Sequence, residues 1–136
     1  EYAKVSIKIF KDNIFFGAGP RTYRIESKNE QYKVSELSWN THPHNMFIQL
    51  LAETGLSGTI LVFIAFCYFF VLLLRKFFIK SNYNKTSNFQ ICINIAVIIN
   101  IFPMIPSGYF FNNWTSIVSF YPISIFFALN RNLKFT

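Results

Sequence analysis

Acidic residues are missing from the second half of this chain: after Glu53 there is no aspartate or glutamate, and only bases follow. All six acids lie in the first 55 residues, where seven bases nearly balance them, so six of the seven net positive charges come from Arg75, Lys76, Lys80, Lys85, Arg131 and Lys134. These bases fall in short segments between and after apolar runs. That distribution marks cytoplasmic loops of a membrane protein, and no basic stripe with interleaved aromatics supports nucleic-acid binding. Cysteine is also scarce. Cys67 and Cys92 both fall inside apolar runs without a neighbouring His or Cys, which predicts neither a disulfide nor a metal site. An initiator Met and a signal peptide are absent too, so the chain reads as the C-terminal part of something longer.

What the chain does have is apolar surface in blocks. Hydrophobic residues make up 52%, with eighteen phenylalanines, too apolar a mixture for an ordinary soluble domain. Residues 56–74 carry no charge and end at Arg75-Lys76, long enough as a helix to cross the hydrocarbon core. Two weaker segments follow, about 89–106, interrupted by Asn94, Asn100, Pro103 and Pro106, and about 114–130, with Pro122 inside. Such residues are tolerated in spans that face protein or a wet cavity. The pattern predicts an all-α, polytopic membrane protein with about three transmembrane helices. Residues 1–55 lie outside, a basic loop 75–88 inside, 107–113 outside and the tail inside. Two spans with a re-entrant segment near Pro103–Trp114 are the alternative.

Residues 1–55 are where chemistry would sit. Tyr2 to Phe10 fits a strand or a short helix with Tyr2, Val5 and Ile9 on one face, and periodicity does not choose between them. Phe16-Gly17-Ala18-Gly19-Pro20 is a turn whose glycines permit close backbone approach or positive φ, and it delivers Arg21 and Arg24. Two guanidiniums can grip a phosphate, or they can simply be solvated. A dinucleotide fingerprint is excluded, because its third glycine and its βαβ surroundings are absent. Residues 26–40 read as an exposed polar loop able to order over a substrate.

Pro43 suits the first position of a helix ending near Gly55, which places His44 in the first turn. The positive helix end there attracts an anion and favours a neutral, proton-accepting imidazole. A capping or packing histidine is the other reading, and His42, before the proline, is the weaker candidate.

His44-Asn45, followed by Ile48-Gln49-Leu50-Leu51-Ala52-Glu53-Thr54-Gly55-Leu56-Ser57-Gly58, resembles the signature of the O-antigen ligase and polymerase family of bacterial envelope enzymes. Phe16–Pro20 is similar to that family's Gly-x-Gly turn, and Pro106–Trp114 resembles a segment near its C-terminus. The resemblance implies a metal-independent, cofactor-free, inverting glycosyltransferase in the bacterial inner membrane with its active site facing the periplasm. Its donor would be a saccharide on undecaprenyl pyrophosphate. The acceptor would be lipid A core for a ligase or another saccharide for a polymerase. It further implies His44 as the catalytic residue and Arg21, Arg24 and Asn45 as substrate-binding residues, without deciding which arginine meets the pyrophosphate. Glu53 is expected to be a structural hydrogen-bond partner, more than two helical turns from His44. The rival class is a non-enzymatic polytopic protein of polysaccharide export, indifferent to changes at His44.

Overall fold

A computed structural model describes residues 1–36, 38–78, 85–103 and 108–130. Lys80, Pro106, Ser107, Arg131 and Lys134, and with them parts of the basic loop and tail, lie outside the described residues. The described residues form five helices and no strand: α1 (Tyr2–Asp12), α2 (Tyr23–Glu26), α3 (Met46–Phe78), α4 (Lys85–Asn100) and α5 (Asn113–Leu129). The fold is all-α.

The undecided N-terminal segment is helical. α1 buries Val5, Ser6 and Ile9, a spacing of one helical face. These side chains close on Tyr23, Tyr32 and Ala52, so α1 and α2 both pack against the first part of α3. The described residues 26–36 and 38–40 are more packed than a solvated loop: Tyr32, Ser27 and Ser38 are buried, and Ser27 Oγ donates to the Asn40 carbonyl at 3.0 Å.

α3 begins later than the proline suggests. Asn45 caps it, its Oδ1 accepting from Ile48 N–H at 3.0 Å, so His44 precedes the cap and takes a positive φ of 58° instead of lying in the first turn. An asparagine side chain that satisfies an orphan helix donor outcompetes the proline signal.

At Gly55 the helix is broken, with φ 63° and ψ −157°. The break opens backbone groups on both sides of Gly55, and the turn after α1 supplies partners for four of them. Ala18 N–H donates to Ala52 O and Gly19 N–H to Glu53 O, both at 2.9 Å. In return Leu56 N–H donates to Ile14 O at 2.8 Å and Ser57 N–H to Phe15 O at 3.1 Å. Two glycines make this approach feasible. A Cβ on Gly17 would stand 2.3 Å from Glu53 C, and one on Gly55 would stand 2.6 Å from Gly17 N and Ile14 O. Gly17 also needs its positive φ of 68°.

Beyond the break, α3 runs from Leu56 to Phe78, ~34 Å at 1.5 Å per residue, with Arg75 and Lys76 inside its last turn and not in a loop. It is the one described helix long and apolar enough to span a bilayer. Ile60, Leu61, Phe63, Ile64, Phe70 and Val71 are all exposed along it, an apolar surface suited to lipid and not to water. α4 and α5 are shorter apolar helices. α4 stops at Asn100, earlier than the apolar run, where Asn100 Nδ2 turns back to Ala96 O at 2.8 Å and Pro103 follows. Pro122 sits within α5 without ending it. α4 packs between α3 and α5 around Phe69, Val97, Ile98, Ile101 and Phe126, and the Phe69 and Phe126 rings meet edge to face at 5.0 Å. Asn94 reaches across to donate to Phe69 O at 3.2 Å.

Candidate active site

The site is assembled by two residues one helical turn apart on α3. Gln49 Nε2 donates to Glu53 Oε2 at 2.9 Å, as an i,i+4 pair should. Glu53 Oε1 accepts from Tyr23 N–H at 2.9 Å and from the Tyr109 hydroxyl at 2.8 Å. Gln49 Oε1 accepts from Phe110 N–H at 3.1 Å. Both side chains are buried, so this polar pair is tolerated because its hydrogen bonds are made. The pair joins α2, α3 and the segment before α5. Three bonds to Glu53 fit the structural role expected for it. Burial, and then the hydrogen bond and charge of Glu53, push the Tyr109 hydroxyl well above the usual phenol range, so it remains a donor.

Above this clamp lies a cavity of about 590 Å³, bounded by Arg21, Arg24, His42, Tyr109, Asn112 and Asn113 among others. Among the described residues no aspartate or glutamate lines it, so two arginines set its sign. They are placed differently. Arg21, with a positive φ of 65°, donates through Nε and Nη2 to Phe111 O at 3.1 and 2.8 Å and through Nη2 to Asn113 Oδ1 at 3.4 Å. It braces the cavity wall. The Arg24 guanidinium has no hydrogen-bond or ion-pair partner among the described residues, and it borders the same space.

The histidines lie side by side, ring centroids 4.2 Å apart, and His42 borders the cavity while His44 stands behind it. Thr41 N–H donates to Asn40 Oδ1 at 2.7 Å, which orients the amide so that Asn40 Nδ2 faces His44 Nε2 at 3.0 Å. Thr41 Oγ1 donates to the same Oδ1 at 3.3 Å and lies 3.0 Å from His42 Nδ1. Thr41 Oγ1 thus lies within hydrogen-bond reach of both the Asn40 amide and the His42 ring. Burial, and secondarily the nearby His44, hold the His42 imidazole below its usual range. The Tyr109 ring stands edge-on to His42 at 6.4 Å.

Among the residues singled out from sequence, the structure brings Arg21 and Arg24 to one cavity and His44 to its edge. It does not bring Asn45, whose Oδ1 caps α3 and whose Nδ2 donates to Pro103 O at 2.8 Å. His42, the weaker candidate from sequence, lines the cavity, and His44, at the bend, lies beside it. Tyr109, Asn112 and Asn113 were visible only as a family-like block, and Thr41 carried no signal in the sequence. No cluster of three or more His, Cys, Asp or Glu able to hold a metal occurs among the described residues.

Fold and site together define a helical membrane protein with a cationic, histidine-bordered cavity at the head of its apolar helix. Residues 1–63 match the family model described as O-antigen ligase, which makes this part of the chain O-antigen ligase-like. The match takes in α1, the glycine turn, both arginines, both histidines and the break at Gly55, and it ends inside α3. Searches of curated proteins and of solved structures returned no match.

Proposed function

We propose that the chain forms part of a membrane glycosyltransferase that moves a saccharide from undecaprenyl pyrophosphate to an acceptor hydroxyl, with lipid A core as acceptor. The observation that carries this reading is the cavity itself: Arg24, whose guanidinium has no hydrogen-bond or ion-pair partner among the described residues, and His42, whose imidazole is held below its usual range by burial, border one space that no described carboxylate lines. The acceptor oxygen attacks the anomeric carbon as the bond from that carbon to the pyrophosphate oxygen breaks. The acceptor's proton passes to the histidine pair, through His42, and the electron pair leaves with the pyrophosphate. Arg24 meets the developing negative charge, and Arg21, held by Phe111 and Asn113, adds fixed positive potential beside it. Pyrophosphate is a good leaving group, so positioning and electrostatics suffice for a large share of the rate. His44, the residue that the family resemblance assigns, supports His42 through Asn40 and Thr41.

The two histidines and Arg24 lie within the family match, and the same chemistry serves a polymerase, whose acceptor is another saccharide chain. Three spans with residues 1–55 on the periplasmic face of the inner membrane complete the proposal, which is supported by the hydrogen bonds of Pro103, Tyr109, Phe110 and Phe111 to Asn45, Glu53, Gln49 and Arg21.

The experiment uses the full-length gene in cells lacking the endogenous activity. His42→Ala, His44→Ala and Arg24→Ala variants are scored for surface polysaccharide at matched membrane abundance. Each histidine change should lower product formation by roughly 10²-fold or more, the usual worth of a general base. Product retained in both histidine variants would remove the acid–base role and favour a non-enzymatic part in polysaccharide export.

A further inference from the structure

The turn laced into the helix break presents apolar side chains outward. Phe15 is 71% exposed and Phe16 81%, next to a half-exposed Ile14, although their backbone is fixed by hydrogen bonds. Two adjacent phenylalanines held outward on a rigid turn are unfavourable in water, and such a patch marks a contact surface. Their height is set by the backbone. Ile14 O and Phe15 O accept from Leu56 and Ser57 N–H, the first amides of the uncharged stretch of α3, so the turn stands beside the start of that stretch. The exposed apolar face of α3 then continues through Ile60, Leu61 and Ile64. The patch and the lipid-facing surface of the helix begin at one level.

We propose that Phe15 and Phe16, with Ile14, insert into the leaflet in which α3 begins, as a lipid anchor that fixes the cationic cavity at headgroup height. The occupant is the bilayer, argued from this continuity with the apolar face of α3; the proposal rests on α3 being a membrane span. Trp114, 71% exposed at the first turn of α5, fits the same level, since tryptophan favours the headgroup boundary. Phosphates of a lipid-linked donor lie at that height, and Arg21 and Arg24 follow the anchored turn within a few residues. Seating the turn in lipid therefore holds the arginines level with the group they would meet.

The test places a nitroxide at Phe16→Cys in the full-length protein carrying Cys67→Ala and Cys92→Ala, reconstituted in phosphatidylethanolamine–phosphatidylglycerol vesicles. Collision with oxygen, which concentrates in lipid, is compared with collision with a water-soluble nickel chelate. Greater oxygen than nickel accessibility at position 16 is the expected result. Greater nickel accessibility overturns the anchor, and so does an immobile label shielded from both, which would show protein covering the turn. A label at Leu61→Cys separates the two ideas: oxygen access there with nickel access at 16 removes the anchor and keeps the span, whereas nickel access at 61 removes both. A Phe15→Ser/Phe16→Ser variant, whose side chains support no core, should fold normally yet require more lipid-linked donor for half-maximal product; an unchanged requirement counts against the anchor.

Discussion

A carboxylate with no exposed surface persists only where every oxygen is occupied, and Glu53 meets that condition through Tyr23, Tyr109 and Gln49. Replacing it with glutamine keeps the shape but turns an amide nitrogen toward a donor. Glu53→Gln should therefore lower stability by ~1–3 kcal/mol, seen as a lower unfolding temperature in detergent, with Tyr109→Phe losing less because only one bond is deleted. His42 gives a pH signature. Its imidazole titrates below the ordinary value of about 6.5, so it stays a neutral base to lower pH than a free histidine, and the acid limb of kcat/KM should fall with a midpoint under that value. Replacing His44 with glutamine removes one of the two lowering influences and should shift the limb of any residual activity upward. The sign for stability agrees: as pH falls through about 6.5 the unfolded chain takes up a proton that folded His42 refuses, so stability declines until the folded group titrates. Residue types were legible at this scale, since arginines, histidines and Glu53 all stood out in sequence. Their placement was not, because it depends on the bend at His44 and on Arg21 meeting Phe111, ninety residues away.

The glycine turn and the break in α3 form one device. Close backbone approach was readable in Gly17 and Gly19, and a helix end near Gly55 was readable too, but that the two meet was not. A break of this kind is encoded by backbone groups more than thirty residues apart, which no local periodicity reports. Gly17→Ala and Gly55→Ala should each cost at least ~2 kcal/mol, because a methyl meets backbone and not a flexible side chain. Lower membrane abundance and earlier thermal aggregation would register the loss. Gly19→Ala, whose Cβ would meet only the Thr22 methyl at 3.3 Å, should be milder, with its positive φ as the main strain.

At the scale of the molecule, blocked hydrophobicity gave the helical membrane class directly, because the spanning length of α3 and its missing charges are properties of composition. Helix ends were less accessible. α3 carries its helix past Arg75 to Phe78, and α4 ends at Asn100, since basic residues are readily accommodated at a helix C-terminus and Pro103 limits what precedes it. Sidedness is checked by placing a cysteine at exposed Lys28 in the full-length protein: a membrane-impermeant reagent should label it in intact spheroplasts, and labelling only after permeabilisation would reverse the proposed orientation.

The break at Gly55 also bears on how the chain is made. Ala52 and Glu53 carbonyls and Leu56 and Ser57 amides would stand open at a membrane boundary, where unpaired backbone is costly. Their partners, residues 14–19, are translated earlier, and α1 can already hold that turn when α3 emerges. Yet the two can meet only on one side of the membrane, so in the proposed orientation export of the N-terminal segment would be a precondition for closing the helix, and translocation would act as the checkpoint for assembly.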